Sequence, residues 1–263
     1  MQRRLGSGPM TGNAIDCLFV VGGSYHDMDF ARLELLKLLA GNPDIRTRVY
    51  EDYPAPEVIA EADFLLTYTC DRVPGTAEQR DALVRFIERG GRWFALHGTN
   101  SVLRFIEGGT VTTPDEQPDF MALLGTQFVG HPPIGAYRVE VADPSHPLIA
   151  DIAPFETVDE LYLSRPCAPI ETLLDCHYDG GPLGSFRQTP QVPGRHPVLY
   201  LRHLGEGAIL YLTLGHCRGH HDMRPLMDHW PTVERCSWEL PIFHELLRRG
   251  VEWASGSALV HNV

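Results

Sequence analysis

Apolar and polar positions in the first hundred residues follow two signatures in turn. Cys17-Leu18-Phe19-Val20-Val21 is a continuous apolar run that ends at Gly22-Gly23, which predicts a strand buried on both faces. Phe30 to Ala40 puts Leu33, Leu36 and Leu39 on one helical face, and Gly41 closes it. Arg46 to Tyr50 predicts a second strand and Asp63 to Thr69 a third, with a polar exit at Asp71-Arg72. Thr76 caps a helix that runs to Arg89 and breaks at Gly90-Gly91, and Arg92 to Leu96 is a fourth strand. Strand and helix in alternation predict an α/β fold with a parallel, doubly wound sheet.

The rhythm then changes. Phe120 to Leu124 reads as a short helix, and Gln127 to His131, Tyr137 to Val141, Thr157 to Leu163 and Thr172 to Tyr178 as strands. Pro197 to His203 and Ala208 to Leu212 flank Gly205-Glu206-Gly207, a hairpin signal, and Leu240 to Trp253 is a closing helix. These strands elaborate the sheet, so a single domain over 13–256 is expected, between tails at 1–12 and 257–263.

Bulk properties narrow the partners more than the chemistry. Lys and Arg number 22 against 34 Asp and Glu, a net charge of −12, which argues against nucleic acid or an anionic membrane as a partner. No apolar run reaches a membrane span and no secretory leader is visible, so a cytoplasmic protein with reduced thiols is expected. None of the six cysteines forms a Cys-x-x-Cys pair, which removes zinc-ribbon and thioredoxin-type sites. A homo-oligomer is left open.

The candidate chemistry lies at strand ends. Ala95-Leu96-His97-Gly98-Thr99 has the layout of a nucleophile elbow, with a histidine at the projecting position. A histidine there can act as base, acid or ligand. Gly22-Gly23-Ser24-Tyr25-His26-Asp27 follows the first strand; its glycines admit close approach of a ligand, or Asp27 simply caps a helix. Two prolines hold His131, Leu214-Gly215 precedes His216, and His146 lies in a plain Asp-Pro turn. In Val158-Asp159-Glu160-Leu161-Tyr162, alternation sends Asp159 one way and Glu160 with Tyr162 the other, a candidate acid/base pair.

In this order the segments resemble the ThuA-like (trehalose utilisation) family. The resemblance rests on Gly22-Gly23 with Tyr25-His26-Asp27, Ala95-Leu96-His97-Gly98, Phe128-Val129-Gly130-His131-Pro132, Asp143-Pro144-Ser145-His146-Pro147-Leu148, Val158 to Tyr162, Pro197-Val198, and Gly205-Glu206-Gly207 leading to Thr213-Leu214-Gly215-His216. It implies a flavodoxin-like sheet of the class I glutamine amidotransferase type, with His97 standing where that superfamily has its cysteine nucleophile. It also implies sugar catabolism, on oxidised (keto) glycosides. The chain departs from the pattern at Ala95, where glycine is usual, and at Cys217, where Asp is common; the loops 179–194 and 218–239 look particular to it.

Three functions are therefore in view. The first is an enzyme acting on a small carbohydrate by isomerisation, elimination or hydrolysis. Its catalytic residues would be His97, His131, Glu160, Tyr162 and Asp159, and Gly23, Tyr25, Asp27, Gly98 and Thr99 would contact substrate. His26, His97, His131 and His216 would hold a divalent metal, zinc first, or shuttle protons unligated; no nucleotide cofactor is expected. The second is a non-catalytic sugar-binding or regulatory protein on an amidotransferase-like scaffold. The third, hydrolysis or amide transfer through Cys70 or Cys217, ranks last because neither sits in an elbow.

Overall fold

Strand β1 (Ile15–Gly23) shows how the core is built: Cys17, Phe19 and Val21 enter one apolar cluster, while Leu18 and Val20 enter another on the opposite face. Side chains alternate across a strand, so an unbroken apolar run needs cover on both sides. The computed structural model describes residues 14–106, 109–187 and 193–259. The expected tail at 1–12 lies outside them. Ser257 and Ala258, expected in the other tail, instead accept hydrogen bonds from Asn42 Nδ2 at 2.9 and 3.2 Å.

After β1 come α1 (Met28–Leu39), β2 (Ile45–Tyr50), α2 (Pro56–Ala60), β3 (Phe64–Cys70), α3 (Ala77–Glu88) and β4 (Arg92–Leu96). Thr76 and Gln79 form a reciprocal capping box that starts α3. The second half holds β5 (Arg104–Phe105), β6 (Val111–Thr112), α4 (Pro118–Leu124), β7 (Thr126–Gly130), β8 (Gly135–Val141), β9 (Phe155–Asp159), β10 (Leu163–Pro166), β11 (Glu171–Tyr178), β12 (Gly194–Leu204), β13 (Gly207–Leu212) and α5 (Pro241–Ser255). Helices α1 and α5 cover one face of the sheet, and α2 and α3 the other.

The main sheet has nine strands in the order β2-β1-β3-β4-β13-β12-β11-β8-β9. Its first five are mutually parallel, in the 2-1-3-4-5 arrangement of flavodoxin-like folds, with the strand order reversing between β1 and β3. Ligands of such sheets bind outside the carboxyl ends of the strands at that switch. The remaining strands pair antiparallel. Four reversals from β13 restore direction, so the carboxyl end of β9 emerges at the same end of the sheet.

Two expectations are corrected. In α1 the face turned to the sheet is Ala31, Leu35 and Leu39, spaced one turn apart, and Leu33 is exposed. The strand expected over Thr157 to Leu163 is interrupted: β9 ends at Asp159, and β10, beginning at Leu163, pairs with β7 in a separate two-stranded sheet. The cause is Asp159, whose buried carboxylate accepts from the backbone of Glu160, Gly215 and His216. It turns the chain out of one ladder before it enters another, and places Glu160 at the break.

Candidate functional site

Four chain segments meet at the carboxyl edge of the sheet. β4 ends at Leu96, and His97 takes φ 46°, a left-handed conformation costly for a residue with a Cβ. A single 3-10 turn, His97–Asn100, follows where an elbow would continue into an α-helix. Tyr211 holds the turn: its hydroxyl donates to His97 O (2.6 Å) and accepts from Asn100 N (2.8 Å). A Cβ on Gly98 would lie 2.7 Å from Thr69 O and 2.8 Å from Cys70 Cβ, so only glycine lets the turn pack on β3. His26 follows β1 through Tyr25, also left-handed at φ 70°. His216 follows β13, and Glu160 follows β9.

The ring nitrogens define the geometry. His97 Nδ1 lies 2.8 Å from Thr213 O, and His26 Nδ1 3.3 Å from Ser24 O. A carbonyl only accepts, so both Nδ1 atoms carry a proton and both Nε2 atoms point into the cluster. Those two Nε2 atoms face each other at 2.9 Å. Glu160 Oε2 is 3.5 Å from His97 Nε2 and 4.0 Å from His26 Nε2, and Oε1 is 3.0 Å from His216 Nδ1. The donor atoms of His26, His97, Glu160 and His216 all lie within 4.8 Å of one another, and all four residues are buried. His131 Nε2 approaches Glu160 Oε1 from the outer side at 3.2 Å, and its side chain is 18% exposed, against 4% for Glu160. The Tyr162 hydroxyl reaches His97 Nε2 at 3.2 Å.

Charge in this dry cluster is set by competition. Burial favours the neutral acid at Glu160, but His131 and His216 outweigh it and hold the carboxyl well below its usual range. Burial, together with repulsion from His97 and His216, pushes His26 well below an ordinary imidazole. Burial opposes charge on His216 too, but Glu160 and Glu234, one at each ring nitrogen, lift it to about 9. Burial pushes the Tyr162 phenol and the Cys70 thiol up, and Cys217 to about 12. Neither cysteine is an activated thiolate.

The structure therefore brings His26, His97, His131, His216, Glu160 and Tyr162 together. Asp159 faces away and serves the backbone. Asp27 caps α1, accepting from Phe30 N at 3.0 Å, and pairs with Arg235 at 2.9 Å. Thr99 Oγ1 donates to Leu96 O at 2.8 Å, and Gly23 and Gly98 are packing positions against Cys70. Among the five expected substrate contacts, only Tyr25 presents a half-buried ring, against Phe105 at 5.2 Å. His146 accepts from Leu148 N, a turn role as expected. His220 and His221 lie exposed on the following loop, outside the cluster. Sequence reasoning missed Glu234 and Arg218. They stand in the loop that looked particular to this chain, but no spacing marked them.

A nine-stranded α/β sheet with a buried histidine–carboxylate cluster at its carboxyl edge defines the class of protein. The family model for ThuA, trehalose utilisation, matches residues 18–230, and the chain belongs to that family, which ties it to carbohydrate utilisation. Two ThuA-like proteins of solved structure share its fold over nearly their whole length. One, from Parabacteroides merdae ATCC 43184, is 16% identical with a TM-score of 0.66, covering 95% of this chain and 93% of that one. The other, from Bacteroides uniformis ATCC 8492, is 18% identical with a TM-score of 0.61, covering 98% and 99%. A β-galactosidase from Rahnella sp. R3 matches at 10% identity and a TM-score of 0.57, covering 95% of this chain but 32% of the enzyme, a likeness of fold. A sequence search of curated proteins matched none. Among the described residues no helix is long and apolar enough to cross a membrane.

Proposed function

We propose that this chain is an enzyme of carbohydrate metabolism, acting on a sugar or keto-glycoside at a divalent-metal centre, zinc first, held by His26 Nε2, His97 Nε2, His216 Nδ1 and Glu160. One observation carries the reading. Two imidazole Nε2 atoms, each ring fixed by a backbone carbonyl behind it, face each other 2.9 Å apart with a carboxylate beside them. Such a pair repels unless a proton or a cation lies between, and neutral imidazoles with a carboxylate are zinc's ligand chemistry. An ionised carboxylate kept this deeply buried costs folding energy, which supports a functional reason for it. His131, expected among the ligands, belongs in this reading to the outer side of Glu160, where substrate arrives.

Bound there, a divalent cation would polarise a sugar oxygen and stabilise negative charge developing on it. The chain supplies the rest. The protonated Tyr162 hydroxyl donates a hydrogen bond into the centre. His131, the most exposed of the set, exchanges a proton with substrate beside its carbonyl or leaving oxygen. Isomerisation, elimination and hydrolysis share that step.

The 3.2 Å contact of Tyr162 with His97 favours a second reading, a metal-free relay in which the phenol donates to His97 Nε2. Elemental analysis of protein purified without a His-tag separates the two, followed by turnover of a keto-glycoside panel. One metal per chain, lost in both His97→Ala and Glu160→Gln, is the expected result. Active, metal-free wild-type protein would leave the relay, and sugar binding without turnover would leave a binding protein.

A further inference from the structure

His216 has a partner on its other side. Its Nε2 lies 2.8 Å from Glu234 Oε2, and Glu234 also accepts from Arg218 Nη1 and from Trp230 Nε1, each at 3.0 Å. A carboxylate cannot donate, so His216 donates its Nε2–H to Glu234, and Nδ1, 3.0 Å from Glu160, is the atom left facing the other two imidazoles, where an entering cation would displace its proton. Arg218 and Glu234 additionally exchange backbone hydrogen bonds, Arg218 N to Glu234 O at 2.9 Å and Glu234 N to Arg218 O at 2.8 Å. They close the neck of the loop between them. The Arg218 guanidinium lies over the Trp230 ring at 4.8 Å, and its Nη2 is 3.8 Å from Glu160. Beyond the neck, the polar rings bond within the loop: His220 Nδ1 to Trp230 O at 2.7 Å and His221 Nδ1 to Asp228 O at 3.0 Å. Both residues that pin this loop thus touch the cluster, Glu234 at His216 and Arg218 at Glu160.

We infer that Glu234 is the positioning residue of the metal-binding site, and that through it the neck of the 218–234 loop and the metal stabilise each other. The inference rests on the metal reading above. A carboxylate behind a ligating histidine fixes its tautomer and ring orientation, and losing it typically weakens metal binding about 10- to 100-fold. Coupling between two sites is reciprocal, so a metal that needs Glu234 must also tighten the neck. A carboxylate that only braces the loop would leave metal affinity unmoved.

The test is a zinc titration of metal-stripped wild-type, Glu234→Leu and Glu234→Gln full-length proteins against a chelator of known affinity. Amide exchange at Arg218 and Glu234 is followed with and without zinc. Zinc is expected to slow both amides in the wild type. Glu234→Leu is expected to bind zinc about 10- to 100-fold more weakly and to lose that protection. If Glu234→Leu does not fold, Glu234→Gln decides: the amide oxygen keeps the contact without the charge, and a measurable loss of zinc affinity, smaller than that of full removal, is expected. Zinc affinity unchanged in the folded variant overturns the coupling and leaves the metal reading intact. A wild-type protein that binds no zinc overturns both.

Discussion

The carboxylate of Asp159 accepts from the backbone N–H of Glu160 at 2.7 Å, of Gly215 at 3.0 Å and of His216 at 3.2 Å, and from the hydroxyl of Ser237. Glu160, one residue on, makes no comparable commitment to backbone and points into the histidines. Alternation along an extended chain separates the two, and that much is readable from sequence. Which of the two meets the histidines is not, because it depends on where β13 ends. Asp159→Ala leaves several buried N–H groups unpaired, each worth about 1–3 kcal/mol. The variant is expected to lose about 3–5 kcal/mol of stability, seen as a lowered urea midpoint, together with its bound metal. A midpoint equal to wild type would show that Asp159 does not hold the β13 exit.

At the scale of elements, α3 began from a clear sequence signal. Thr76 caps it as expected, with Gln79 completing a reciprocal box, and Gly256 closes α5 in a left-handed conformation. The strand expected at Thr157 to Leu163 was interrupted because a side chain competed with the ladder for backbone donors, a contest invisible to hydrophobic periodicity. Helix α5 also carries a charge device. Arg248 and Arg249 hydrogen-bond Glu245 and hold its carboxyl down to about 2. An unfolded glutamate titrates near roughly 4.3. The contribution is therefore full above that value and is lost as pH falls through about 2. Glu245→Gln is expected to flatten the acid side of the stability curve between those limits, by a modest amount because the side chain is 32% exposed. Unfolding midpoints of both proteins across this range provide the measurement; parallel curves would count against the assignment.

At the scale of the whole molecule, the layers close through small residues. A Cβ at Gly250, in α5, would collide with the ring of Phe94 in β4. Gly250→Ala must lift the helix or turn the ring, and is expected to cost about 1–3 kcal/mol. In a chain this size that lowers the melting temperature by roughly 2–4 °C per kcal/mol. An unchanged melting temperature would mean that α5 docks more loosely than described. The same closure frames the candidate site, because α5 and α1 fill the face beneath the strand ends from which His26, His97 and His216 emerge. Among the described residues, four of the five non-glycine positions with positive φ (Tyr25, Asp71, His97 and Cys236) lie in or beside the segments that meet there. Strain is commonly held at functional sites, where surrounding structure over-determines the backbone.

Local physics settled much of this protein from sequence. Apolar runs that need cover on both faces, helical periodicity and glycine breaks determined four of the five parallel strands. Because parallel strands open their carboxyl ends to one side, they also determined that His26 and His97 would share an edge. The folded chain alone decided the rest. The antiparallel half had to reverse four times before β9 could deliver Glu160 to that edge, and Asp159 had to bind the β13 exit before His216 could face it. Glu234 and Arg218 reach the cluster only because their loop closes at its neck. Such contacts join residues far apart in the chain, and their geometry depends on strand order and packing, which no local pattern encodes.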